Sequence, residues 1–494
     1  MPTSRVARAV AVAVVVAVAG CSGDDTDDSA STSAPSTTTD SDRSTSTTED
    51  LDPVVGDTGV GDEYFPGLGN GGYQVERYVL ALDVDPQAGT IDATATIEAV
   101  ATEDLSGFHL DLIGLEVGDV TVDGEQARAS RDDRELLIEL RDPIAAGDRF
   151  VAVVPYQGTP MPVQSDSLGP VGWTPLGDGS SFVLSEPEGA ATWFPANDHP
   201  SDKALFRFEI TTPAGVDAAA NGLLVAQEPT DGGGTRWVYE SAHPMAPYLA
   251  TVAIGDLTFE DAAPGPGGLP IRNVYDDDVA TGASETMARQ GEMVDFFDDL
   301  FGRYPFEAYG ALVMDVPTGV ALETQTLSLF GNDIIGIGPI GQEIVAHELA
   351  HQWFGDSVAL ERWQDIWLNE GFATYAQWLW AEHDTGTAIA DIARRAHAGL
   401  EQTGFGDLPP GDPGPENLFA PTVYERGGLL LHELRGSIGD DAFFSVLRRW
   451  ASERADGNGT TDDFVALAEE VAGAELDEMF DLWLYEPQLP DLSA

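Results

Sequence analysis

His347 and His351 are set four residues apart in the run His347-Glu348-Leu349-Ala350-His351. On a helix that spacing puts both imidazoles on one face, where they can share one metal ion with Glu348 beside them. A catalytic zinc takes three protein ligands and leaves a fourth position for water. The third ligand must therefore come from elsewhere in the chain. Glu370, in Trp367-Leu368-Asn369-Glu370-Gly371-Phe372-Ala373, lies early in a second helical pattern over residues 364–382. Packed antiparallel to the first helix, this one brings its carboxylate to the open side of the metal. The expectation is one Zn2+ per chain on His347, His351 and Glu370. Such an ion lowers the pKa of bound water towards neutrality and polarises a peptide carbonyl. Glu348, one residue after a ligand, faces that water and is expected to act as general base and then proton shuttle.

H-E-x-x-H is the zinc-peptidase pattern. The longer stretch His347-Glu348-Leu349-Ala350-His351-Gln352-Trp353-Phe354-Gly355, followed after residues 352–369 by Glu370, resembles the M1 family of zinc aminopeptidases, a gluzincin group. The resemblance covers most of the chain and implies further roles. Tyr424, in Val423-Tyr424-Glu425-Arg426-Gly427, matches the family's oxyanion-stabilising tyrosine, with Arg426 standing where a Lys is usual. Val320-Ala321-Leu322-Glu323-Thr324 is similar to the family's G-A-M-E-N loop, which makes Glu323 the anchor for the substrate's N-terminal amine. Val320 and Thr324 depart from that pattern. Glu188, in Ser185-Glu186-Pro187-Glu188, falls where the family lends a second acceptor to the same amine.

The activity so implied is removal of N-terminal residues from peptides by zinc-activated water attack. Two alternatives stand beside it. The altered loop and the lack of the further helical domain of larger M1 enzymes suggest a zinc endopeptidase of loose register. A catalytically silent peptide-binding surface lipoprotein would need a broken ligand or base, and none is broken. Asp365 or Asn369 could orient the metal histidines. The other histidines, 109, 199, 243, 383, 397 and 432, read as packing or surface groups.

The elements that must position these residues make an α+β multidomain protein. An N-terminal β-sandwich domain, residues 63–255, precedes a thermolysin-like, mainly helical zinc peptidase domain, residues 256–494; the boundary comes from the resemblance. Alternating residues over 73–85 and 90–99 have the period of half-buried strands. Asp123-Gly124 is a hairpin signal. From 284 to 301 the pattern becomes helical, with Met287, Met293, Phe296, Phe297 and Leu300 near one face.

The chain carries 85 Asp+Glu against 23 Lys+Arg, a formal charge of −62, and Lys203 is its only lysine. Phosphate binding needs a basic footprint, so nucleic acid is excluded as a partner. Residues 1–8 are positively charged, residues 9–19 apolar, and Gly20-Cys21 closes the run. This reads as a signal peptide, residues 1–20, whose end resembles the bacterial lipobox. Cys21 is then the lipidation site, anchoring an exported protein on the outer face of the bacterial cell membrane. Ser/Thr/Asp-rich residues 21–62 bury too little apolar surface to order and read as a tether.

Overall fold

The computed structural model describes residues 53–493. The signal peptide, Cys21 and residues 21–52 of the tether lie outside the described residues. Tyr73–Asp85 and Thr90–Ala101 are antiparallel neighbours at the centre of a nine-stranded sheet. Tyr78, Leu80 and Leu82 on the first, and Ala93, Ala95 and Ile97 on the second, are buried at every other position. The period of two thus sets which face meets the core. Asp123 and Gly124 take φ of 52° and 78° and turn the chain between Thr121–Val122 and Glu125–Gln126, a two-residue hairpin whose twist needs positive φ at both positions.

A five-stranded sheet follows, including Ser181–Leu184 and Val252–Gly255. A separate four-stranded sheet then runs through Leu257–Asp261, Arg272–Asp276, Ala311–Met314 and Ser328–Gly331. The loop joining its last two strands carries Glu323. The rest is mainly helical: α1 Ala280–Met287, α2 Gln290–Phe301, α3 Pro339–His351, α4 Trp367–Thr385, α5 Ile389–Thr403, α6 Pro421–Ile438, α7 Asp440–Glu453, α8 Thr461–Ala472 and α9 Asp477–Leu484. The expected helix over 284–301 is divided into α1 and α2, with Met287, Met293 and Phe297 buried. Among the described residues no helix is long and apolar enough to cross a membrane.

One boundary needs correction. Residues 53–62, assigned to the tether by composition, belong to the fold. Val54–Val55 pairs in parallel with Leu105–Asp111. Asp62 is buried and accepts from the backbone amides of Tyr64 (2.8 Å), Phe65 (2.9 Å) and Trp363 (2.8 Å), and from His199 Nε2 (3.2 Å). A polar segment can order without a core of its own when its side chains satisfy buried donors elsewhere.

Candidate active site

Helix α3 opens at Gly338, whose φ of 67° suits glycine, with Pro339 at its first turn, where a missing N–H costs nothing. Its last two turns bury His347, Glu348 and His351. The two imidazoles meet edge to face, ring centroids 4.8 Å apart. The chain then turns sharply, and the Phe354 carbonyl accepts from His351 Nδ1 at 3.1 Å. Gly355 at φ 134° makes this turn; a Cβ there would lie 3.3 Å from His351 Nδ1 and 3.2 Å from Asn369 Nδ2. Glu370 sits in the first turn of α4. Its Oε2 lies 3.2 Å from His347 Nε2 and 3.5 Å from His351 Nε2.

These residues fit a zinc ion. The carbonyl on His351 Nδ1 requires a proton there, which in the neutral ring leaves Nε2 a lone pair facing a carboxylate oxygen. Two atoms so placed need a proton or a metal ion between them: burial lowers the His351 imidazole, but the charges of Glu370 and then Glu323 outweigh it and push it up to about 10, so positive charge is favoured here. Tetrahedral zinc with bonds of roughly 2.0–2.1 Å sets its ligand atoms roughly 3.3–3.4 Å apart, and the two observed separations straddle that distance. Burial raises the Glu370 carboxyl, but the neighbouring histidines, His351 foremost, outweigh it and hold the group ionised.

Glu323 is held from three sides. Tyr248 Oη donates to Glu323 Oε1 at 3.2 Å. Gln352, the residue after the second metal histidine, donates from Nε2 to the Glu323 carbonyl at 2.8 Å. Its Oε1 accepts from Thr326 N (2.8 Å) and Tyr304 Oη (3.0 Å). From the strand-rich half, Asn221 Nδ2 donates to the Gln325 carbonyl (2.8 Å) and Gly222 N to Thr326 Oγ1 (2.8 Å). Ligand-capable atoms of Glu323, Glu348 and His351 all lie within 4.8 Å of one another. Burial pushes the Glu348 carboxyl well up; His351 opposes this, and Glu323 and Glu370 reinforce it.

The structure separates the two glutamates of the 185–188 stretch. Glu188 pairs with Arg134 Nη1 at 3.4 Å. Glu186 is buried, its carboxyl pushed well up by burial and then by the charges of Glu323, Glu370 and Glu348. No feature of the short stretch distinguishes the two. Arg134, fifty-four residues upstream, captures Glu188.

Tyr424, in the first turns of α6, lays its ring over His347 at 5.9 Å and 22°. It reaches that position because α4 and α6 approach closely at Gly371 and Gly427. Arg426 is fully buried and donates to the carbonyls of Gly406 (2.8 Å), Leu482 (3.0 Å) and Glu486 (2.6 Å), so it ties α6 to α9 and the segment after it. Asp365 does not reach a metal histidine; it accepts from Thr461 Oγ1 (2.6 Å) and Arg362 Nε (2.8 Å). The orienting group on His351 is a backbone carbonyl, which no side-chain pattern announces. His199 pairs with Asp62, His243 with Asp456, and His397 with the Pro490 carbonyl, all away from the metal histidines.

A strand-rich half joined to a helical half, with two imidazoles from one helix and a glutamate from the next, defines a gluzincin-type zinc peptidase fold. Residues 285–483 match the model of the peptidase family M1 domain, and residues 74–249 that of the peptidase M1 N-terminal domain. The chain belongs to peptidase family M1. It is 32% identical to an M1 zinc metallopeptidase from Deinococcus radiodurans, over 88% of this chain and 99% of that one, with a TM-score of 0.81. A mutant of that protein bound to a Tyr-Ser-Ala substrate superposes with the same TM-score, 32% identity and coverage of 88% and 100%. Aminopeptidase N of Lactobacillus delbrueckii subsp. lactis is 25% identical over 453 residues, 85% of this chain and 52% of the relative. The chain spans about half the length of the curated relatives it matches.

Proposed function

We propose that this chain is a zinc aminopeptidase that removes the N-terminal residue of peptides. The observation that carries this reading is the fixed, buried Glu323 carboxylate beside Glu348 and His351. An anionic seat at that reach from the scissile bond binds a free α-ammonium and sets the cut one residue from the end. Glu186, buried and under the charge of Glu323, supplies a second acceptor in this reading. His347, His351 and Glu370 would hold a zinc ion, which when bound would supply the positive charge that acidifies water and polarises the carbonyl. Glu348 takes the proton of the attacking water and returns it to the leaving amine nitrogen. The Tyr424 hydroxyl, kept protonated by burial and by the surrounding carboxylates, donates to the oxygen on which negative charge develops. Relatives named aminopeptidase N, and a related structure titled with a tripeptide substrate, support peptides as the substrate class.

The test is a panel of aminoacyl anilides with free and acetylated N-termini. An ammonium held by charge-assisted hydrogen bonds is worth about 1.5–3 kcal/mol, roughly 10- to 150-fold in kcat/KM. Acetylation should cost at least that much with the wild type and almost nothing with Glu323→Ala. Equal cleavage of blocked and free substrates by the wild type would instead identify an endopeptidase. Export and anchoring through Cys21 belong to the same proposal, supported by the charged start, apolar run and cysteine of residues 1–21. Cys21→Ala should release the protein from the membrane fraction, and full retention would refute the anchor.

A further inference from the structure

We propose that Lys203 is a positioning residue of the metal centre, supplied by the strand-rich half: it fixes the turn whose Phe354 carbonyl orients His351. This rests on the zinc reading of His347, His351 and Glu370. His351 closes α3, and its Nδ1 donates to the Phe354 carbonyl at 3.1 Å. The group on the second nitrogen of a metal histidine sets the direction of the first. That carbonyl is only as fixed as the turn that carries it. The turn folds back on the helix end through three backbone bonds: Asp356 N to the His351 carbonyl (3.0 Å), Ser357 N to the Gln352 carbonyl (3.1 Å) and Gly355 N to the Val358 carbonyl (2.9 Å). The carbonyls of Asp356 and Ser357 take no part in these bonds. Both accept from Lys203 Nζ, at 2.7 and 2.9 Å, and the Gly457 carbonyl accepts from it at 3.4 Å.

An ammonium has three donors, and here each has a carbonyl. Lys203 is the only lysine among 23 Lys+Arg. A compact ammonium can aim three donors at oxygens gathered round one point, which the planar guanidinium used at every other basic position cannot. Such charge-assisted bonds are roughly twice as strong as neutral ones. The path to the metal is short: Lys203 Nζ holds the Asp356 carbonyl, Asp356 N holds the His351 carbonyl, and the Phe354 carbonyl between them holds the imidazole. Without the ammonium two turn carbonyls lose their donor, the turn relaxes, and His351 Nε2 loses its aim. Asn458 staples the same junction by another route. Its Nδ2 donates to the carbonyls of Pro200 (3.0 Å) and Leu360 (2.7 Å), and so reaches neither Asp356 nor Ser357.

The test is the zinc affinity of the full chain, measured by chelator competition for wild type, Lys203→Met, Lys203→Gln and Asn458→Ala. Both Lys203 variants should bind zinc at least about tenfold more weakly. The visible absorption of the Co2+-loaded protein, which reports ligand geometry, should change in the same two variants. Asn458→Ala should lower Tm and leave zinc affinity and the Co2+ spectrum as in the wild type. Lys203→Gln keeps a polar head at this partly buried position and serves if Lys203→Met does not fold. Wild-type affinity and spectrum in a folded Lys203 variant would overturn the proposal. Equal weakening by Asn458→Ala would overturn it too, because the effect would then belong to the junction as a whole. A wild type that binds no zinc would refute the zinc reading itself, and the role of Lys203 with it.

Discussion

Gly371 of α4 and Gly427 of α6 touch backbone to backbone: a Cβ built on Gly371 would sit 2.9 Å from the Gly427 Cα, and one built on Gly427 2.9 Å from the Gly371 Cα. Glu370 immediately precedes the first, and Tyr424 stands one helical turn before the second. The metal carboxylate and the tyrosine over His347 are thus registered to each other by two missing side chains. Either Gly→Ala substitution forces the helices apart, with an overpacking cost of about 1–3 kcal/mol. Gly371→Ala and Gly427→Ala should each lower Tm and kcat, and zinc should bind more weakly in the first. An unchanged kcat in both would remove the argument for registration.

Glu348→Gln should keep its zinc, because the metal's three donors are untouched. Loss of a general base should lower kcat by roughly 10²–10⁴-fold. Metal analysis alongside turnover checks both halves. A variant that lost its zinc would place Glu348 in the ligand set.

Gln352 joins the metal helix to the Glu323 loop through two hydrogen bonds of 2.8 Å, with the Glu323 carbonyl and Thr326 N, and accepts a third from Tyr304 Oη at 3.0 Å. Gln352→Ala leaves buried partners unsatisfied, at a cost of about 1–3 kcal/mol. KM for free-amine substrates should rise more than kcat falls, since it is the amine seat that loosens. A fall in kcat alone would argue that the loop is held by other means.

Asp62 fastens residues 53–65 to the Trp363 amide and to His199. Burial raises its carboxyl, but the His199 hydrogen bond and the Trp363 and Phe65 amides outweigh burial and hold the group below its ordinary value. A depressed pKa contributes stability that is present above the unfolded value and lost as pH falls through the folded one. Asp62→Asn should therefore be clearly less stable than the wild type near neutral pH, with the gap closing below about pH 4. Thermal melts across pH give the comparison.

Glu135 shows the opposite sign. Burial, and then the charge of Asp111, push its carboxyl up to about 8, with Arg134 opposing. Between the ordinary carboxylate range and that value the folded chain keeps a proton that the unfolded chain releases, so stability falls as pH rises through this window. Glu135→Gln removes that contribution. Its Tm relative to wild type should climb as pH goes from about 5 to 8, and a flat difference would contradict the assignment.

Much of the site was legible because helices make spacing local. The histidines four apart in α3 and the carboxylate in the first turn of α4 needed only a period and two elements. The strands over 73–85 and 90–99 were visible in the same way, through alternation, and the second runs on to Ala101. What escaped was decided across long separations. Glu186 and Glu188 carry the same side chain two residues apart, and Arg134 sorts them. Asp62 looks like tether by composition and is buried because Trp363 and His199 need an acceptor.

By itself the sequence determined that two imidazoles and a carboxylate could converge on one ion, since a helical repeat fixes side-chain direction within a turn. Only the tertiary structure decided how near α4 comes to α6, that Arg134 takes Glu188 and that residues 53–62 join the fold. Those outcomes depend on contacts between backbones and charges far apart in the chain, and no local pattern encodes them.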